Sequence, residues 1–101
     1  MSYFVYKLIP PRPTFAADMT VAEGEVMAQH AAYWTDHLEH GTVVVFGPVA
    51  DPVGVWGLGI LDAEDDVAAK ALVNEDPAIT SGLATFELHP MDAVVRAREP
   101  R

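Results

Sequence analysis

The sequence contains no cysteine, which excludes disulfides, thiolate nucleophiles and cysteine-ligated zinc, and gives no sign of an oxidising compartment. Cations are scarce too: 6 Lys and Arg stand against 15 Asp and Glu, for a formal net charge of −9. Affinity for a phosphate backbone comes largely from Lys and Arg displacing counterions, so this balance argues against nucleic acid as a partner. No apolar run approaches the ~20 residues of a membrane span, and the opening MSYFVYKLIPPRP is not a basic start followed by a long apolar stretch. The expectation is a cytoplasmic protein with no membrane partner. The few glycines make no phosphate-binding loop, and no cofactor is expected.

What is present is enough for a core. Half of the 101 residues are hydrophobic and only 21% are charged, which points to one globular domain rather than a disordered chain. A domain of this size buries only about two-thirds of its unfolded surface, so a partner chain is expected to add stability. The domain is taken as residues 1–101, with a core over about 1–90 and a C-terminal extension over 91–101.

Residues Tyr3 to Ile9 alternate Phe4, Tyr6 and Leu8 against Val5 and Lys7, the pattern of a strand. Pro10, Pro11 and Pro13 end it and predict an extended loop. Thr20 and Glu23 have capping-box spacing, and a helix is predicted from about Val21 to His40, with Met27, Ala31, Trp34 and Leu38 on its sheet-facing stripe and Gly41 as its stop. Thr42 to Phe46 and Val55 to Leu61 read as strands joined through a turn-rich link that starts at Gly47-Pro48; Gly57 and Gly59 suggest close approach by another backbone or a ligand. Asp62 is the expected cap of a second helix, with Val67, Ala71 and Leu72 on its apolar face and an end near Glu75, since Asp76 precedes Pro77. A loop to Gly82 and a strand from Leu83 to His89 close the domain. The order β-α-β-β-α-β predicts an α+β, ferredoxin-like sandwich with an antiparallel sheet. Its helices cover one sheet face, and the aromatic residues of the first and third strands are expected to meet a second subunit on the other, closing a dimer around a shared cavity.

Four histidines are the main carriers of chemistry: His30, His37, His40 and His89. None completes an established metal-ligand spacing, so no metal is expected. His37 and His40 lie in the last turns of the helix, where positive charge complements its dipole. His89, before Pro90, reads as a surface or interface residue. His30 lies mid-helix, about 60° around from Met27, beside the core stripe. A histidine there suits proton transfer, since its ordinary pKa of about 6.5 lies near neutrality, and it equally suits a half-buried ring bonded to a backbone carbonyl. Asp76 has two readings as well: ordinary turn chemistry, or a carboxylate that meets His30 and fixes its tautomer. Tyr33, Thr80 and Ser81 are hydroxyl candidates without a nucleophile-elbow sequence behind them.

Together, His30-Ala31-Ala32-Tyr33-Trp34, Gly41 before a strand ending Gly47-Pro48, Asp76-Pro77 and Ser81-Gly82-Leu83 resemble the YCII-related (YciI-like) family over about residues 1–90. The resemblance implies a subunit of a dimeric α+β barrel, with His30 and Asp76 paired in a cavity. Tyr6, Tyr33, Trp34, Gly47, Pro48 and Ser81 are the expected pocket residues. Relatives include a dehydrochlorinase acting on a chlorinated hydroxyhydroquinone, and the wider barrel group includes muconolactone isomerase. The sequence departs from the pattern in its Pro-rich insertion and in Ala78, where an aromatic residue often follows Asp-Pro. The expected activity is acid-base elimination or isomerisation of a small organic molecule, with His30 as base and Asp76 as its orienting partner. The alternative is a non-catalytic binding or accessory domain.

Overall fold

The computed structural model describes residues 2–97. The elements run β1 (Ser2–Ile9), α1 (Phe15–Asp18), α2 (Val21–Glu39), β2 (Val43–Val49), β3 (Trp56–Ala63), α3 (Asp66–Asn74), α4 (Pro77–Thr80) and β4 (Thr85–Pro90). The strands make one antiparallel sheet in the order β2-β3-β1-β4, which is compatible with the ferredoxin-like expectation. In β1 the alternation places Phe4, Tyr6 and Leu8 in the core, where they join Leu61 and Ala63 of β3 beneath Trp34 of α2 and Ala69 and Val73 of α3. Complete burial of side chains such as Leu61 and Val73 contributes about 1.5–3 kcal/mol each. Phe4 and Tyr6 are therefore covered by this chain's own helices and are not available to a second subunit. The opposite face, carrying Val5, Lys7, Val45 and Ile60, has no helix over it among the described residues.

The capping box of α2 is complete: Glu23 N–H donates to Thr20 Oγ1, and Thr20 N–H donates to Glu23 Oε1. At the other end Gly41, at φ 80°, donates to Leu38 O while Thr42 N–H reaches His37 O, the paired bonds of a Schellman stop. The predicted stripe is only partly right. Trp34 is buried and Met27 packs on the core, whereas Leu38 is 42% exposed and Ala31 is exposed. The large Trp34 indole anchors the helix and rotates it so that Tyr33 packs beside it on the core.

The second long helix differs in phase from the sequence reading. Strand β3 runs on through Asp62 to Ala63, and the cap is Asp65, whose carboxylate accepts from Ala68 N–H. That shift buries Ala69 and Val73 and leaves Val67 73% exposed. Two segments expected as loops contain single helical turns. Buried Phe15 seats α1, and α4 starts from Asp76 as N-cap with Pro77 pre-set for its first position. Gly47-Pro48 is also not a turn. It lies within β2, an edge strand, where the missing proline N–H leaves the ladder intact. After Pro90 the chain stays close to β1, with Met91 N–H donating to Tyr3 O and Arg96 donating to the Tyr3 hydroxyl. The last part of the expected extension, residues 98–101, lies outside the described residues.

Candidate functional site

The local chemistry of Asp-Pro sets the site. Asp76 has extended backbone angles, as the residue before proline must, and its side chain folds over the first turn of α4 so that Oδ1 accepts from Ala78 N–H at 2.8 Å. The capping bond holds the carboxylate under α2, where it is 0% exposed. Three further donors converge on it from remote parts of the chain. The Tyr6 hydroxyl and Trp34 Nε1 each donate to Oδ2 at 2.7 Å, and His30 Nδ1 lies 2.8 and 2.9 Å from the two oxygens.

This arrangement bears on the protonation of Asp76 and Tyr6 and on the tautomer of the neutral His30 ring. Burial alone would raise the Asp76 pKa, but hydrogen bonds from His30, Trp34 and Tyr6 outweigh it and hold the group below its ordinary value. The Trp34 N–H and the Ala78 N–H can only donate, so both oxygens act as acceptors, which favours the ionised carboxylate. Burial, followed by the adjacent Asp76 charge, pushes the Tyr6 hydroxyl far up, and it remains a neutral donor. An ionised acceptor at Nδ1 places the His30 proton on that nitrogen and leaves the lone pair of the neutral ring on Nε2. Nε2 has no hydrogen-bond partner among the described residues.

His30 also borders a cavity of about 350 Å³ between α2, the sheet and the Pro-rich segment. Its floor is open because β3 has glycine opposite the two large residues of β1. A Cβ at Gly57 would lie 3.0 Å from Leu8 Cβ, and one at Gly59 would lie 3.3 Å from Tyr6 Cδ2. The close approach foreseen at these glycines is thus made by core side chains. A bulge between Val43 and Val45 resets β2, so Phe46 and Pro48 pair with Gly59 and Gly57 and wall the cavity. Phe15, Ala16 and Met19 close the side formed by the Pro-rich segment. That segment is strapped by Arg12, which bonds Asp18 and both carboxylate oxygens of Glu23.

The family model of the YCII-related domain matches residues 3–92. The chain belongs to the YCII-related family. No curated protein is similar enough to be matched.

In this YCII-related domain the sequence-derived site residues divide into two groups. His30 and Asp76 are in contact, and Tyr6, Trp34, Gly47 and Pro48 line the cavity. Tyr33 and Ser81 do not line it. The Tyr33 hydroxyl donates to Leu72 O at 2.6 Å while its ring packs edge-on against Trp34, and Ser81 caps the end of α4 and accepts from Leu83 N–H. Burial and the nearby acids Glu75 and Asp76 push the Tyr33 pKa up to about 12, which keeps it a neutral donor. His37 bonds Thr42, His40 bonds Asp36 and His89 bonds Glu87, all apart from the cavity. Among the described residues no three His, Asp or Glu side chains are grouped to hold a metal ion, and no helix is long and apolar enough to cross a membrane.

Sequence reasoning missed the walls made by Phe15, Met19, Met27 and Trp56. A weak signal existed for Phe15, the one aromatic residue in a segment otherwise rich in proline and polar groups. It also missed that Tyr6 and Trp34 serve Asp76 with their polar atoms while their rings form the wall.

Proposed function

We propose that this YCII-related domain binds a small organic molecule in the cavity and that His30 removes a proton from it, in an elimination or isomerisation. The observation that supports this most directly is the His30 ring itself, held at Nδ1 by a fully buried carboxylate and bordering the cavity with Nε2 unpaired. Asp76 acts as a positioning residue: it fixes the tautomer and stabilises the imidazolium that forms when Nε2 takes the proton. A positioned acid-base residue contributes about 10²–10⁴-fold. Binding in a concave, apolar site supplies orientation. The uncovered sheet face, with Val5, Val45 and Ile60, is the surface through which two copies would assemble into a dimeric barrel.

One observation favours the second reading, a binding or accessory domain without turnover. Besides His30, the walls offer, among the described residues, no unengaged polar side chain to stabilise developing charge.

The test is a thermal-shift screen of small phenols, lactones and ketones, followed by NMR detection of proton exchange into deuterated water for each compound that stabilises the protein. Wild type is expected to accelerate exchange about 10²–10⁴-fold, and His30→Gln to lose that acceleration while retaining binding. Ligands that bind without any exchange or product would sink the catalytic reading in favour of the binding domain.

A further inference from the structure

The polar atoms around the cavity are almost all engaged elsewhere. The Tyr6 hydroxyl and Trp34 Nε1 both donate to Asp76, and Trp56 Nε1 donates to Asp51 at 3.1 Å. Among the described residues no Lys, Arg, Asp or Glu side chain lines the cavity, and apart from His30 its walls are aliphatic, aromatic, proline, glycine or methionine. The two cations nearest in sequence are held away from it. Arg12 is clamped between Asp18 and Glu23, and Lys7 does not line the cavity, its ammonium being held 4.8 Å from the centre of the Trp56 ring that does. Among the described residues one side-chain nitrogen or oxygen at the cavity, His30 Nε2, is left to address a ligand.

We infer that the cavity selects an uncharged, largely hydrocarbon or aromatic molecule of one or two rings, carrying a single polar group that meets His30 Nε2. This deepens the proposed function and rests on the cavity being its ligand site. The size follows from comparison: a dry apolar cavity of about 150 Å³ holds benzene, and this one is about 350 Å³. The exclusion of ions follows from desolvation. A carboxylate or phosphate brought into an apolar site needs a cation or several donors, and here the described residues offer no cationic side chain and no free side-chain donor beyond the His30 ring, while Asp76 holds a buried negative charge nearby. An ammonium ligand would lose its hydration with no side-chain acceptor, among the described residues, other than a single imidazole nitrogen. A neutral acid is different, because charge arises only as its proton passes to Nε2, when imidazolium and ligand anion form together as a pair.

The class is tested with four indanes of one frame: indane, 2-indanol, indane-2-carboxylate and 2-aminoindane, the last two ionised at pH 7. Binding is read from the fluorescence of Trp34 and Trp56, both in the cavity wall. The expected ranking is 2-indanol first, indane next, and each ion at least tenfold weaker than 2-indanol. His30→Ala should remove the advantage of 2-indanol over indane. Ala31→Trp, at an exposed helix position that still lines the cavity, should block all binding while leaving the circular dichroism unchanged, and Met19→Trp should do the same from the other wall. An ion that binds as tightly as 2-indanol, no binding up to the solubility of the neutral compounds, or binding indifferent to both tryptophan substitutions would overturn the inference. A carboxylate-first ranking would do so while leaving His30 chemistry standing. The expected ranking without proton exchange for any ligand would sink the catalytic reading and preserve the binding class.

Discussion

Two carboxylate-centred networks flank the cavity, and they differ in what surrounds them. At Asp76 four donors meet one fully buried carboxylate, drawn from β1, α2 and α4. At Arg12 a guanidinium bonds Asp18 and Glu23 within one surface segment, where the Arg12, Asp18 and Glu23 side chains remain 34%, 51% and 19% exposed. Both have short bonds, and both lower carboxylate pKa values. Only the first sits where water cannot replace a lost partner, so it should govern stability and ring orientation, while the second should govern only how its own segment sits over the cavity.

Asp76→Ala would break the comparison most sharply. It removes the acceptor for the Tyr6 hydroxyl, Trp34 N–H and Ala78 N–H together, leaving buried donors unpaired. Losing one side of a buried ionic network costs about 3–5 kcal/mol, measurable as a fall in the urea midpoint at unchanged slope. A midpoint close to wild type would mean that water reaches the carboxylate and that the two networks are alike.

Acid should separate them next. The Asp76 pKa is depressed below 3.8 in the folded state. Its stabilisation is therefore complete above that value and is lost as the pH falls through the folded pKa, because the unfolded chain takes up the proton first. Glu23 follows the same sign, its pKa held down to about 2 by the Arg12 hydrogen bonds and then by the Thr20 backbone. Salt distinguishes the two. The contribution of Glu23, which is partly exposed, should shrink in high salt, whereas the contribution of Asp76, which is fully buried, should persist and vanish only in Asp76→Asn. An acid transition abolished by salt in wild type would contradict this assignment.

The same contrast explains what could be read from the sequence. Features made by neighbours were legible: Thr20 and Glu23 three residues apart, the alternation of Phe4, Tyr6 and Leu8, the glycine stop at Gly41. Helix phase was less so. The segment from Val67 to Val73 is apolar on nearly every side, so its periodicity did not distinguish Val67 and Ala71 from Ala69 and Val73, and extension of β3 through Asp62 decided it. His30 and Asp76 were singled out by residue type, position and family resemblance. Their shared partners were not, because Tyr6 and Trp34 lie 70 and 42 residues from Asp76, and each reads as an ordinary aromatic core residue. A cavity was expected, and Tyr6, Trp34, Gly47 and Pro48 do line it, but its shape was not legible, since it depends on a β2 bulge and on which sheet face Gly57 and Gly59 occupy.

Arg12→Ala should have the smallest effect on global stability, and for that reason it sharpens the comparison. The guanidinium ties Glu23, the capping residue of α2, to Asp18 at the end of α1, and it stacks 5.3 Å from the Phe15 ring centre. Its removal leaves the capping box intact, because Thr20 and Glu23 still satisfy each other, and Phe15 still has its buried seat. The urea midpoint should stay near wild type. The segment that Arg12 straps should loosen, and the amides of Phe15, Ala17 and Asp18, which bond Arg12 O and Thr14 O, should exchange faster while those of β1 and β3 do not change. Met19 and Phe15 close the cavity from that segment, so ligand release should quicken as well. If exchange rises equally in β1, the strap is part of the core's cooperative unit, and the distinction drawn here between a buried hub and a surface clasp fails.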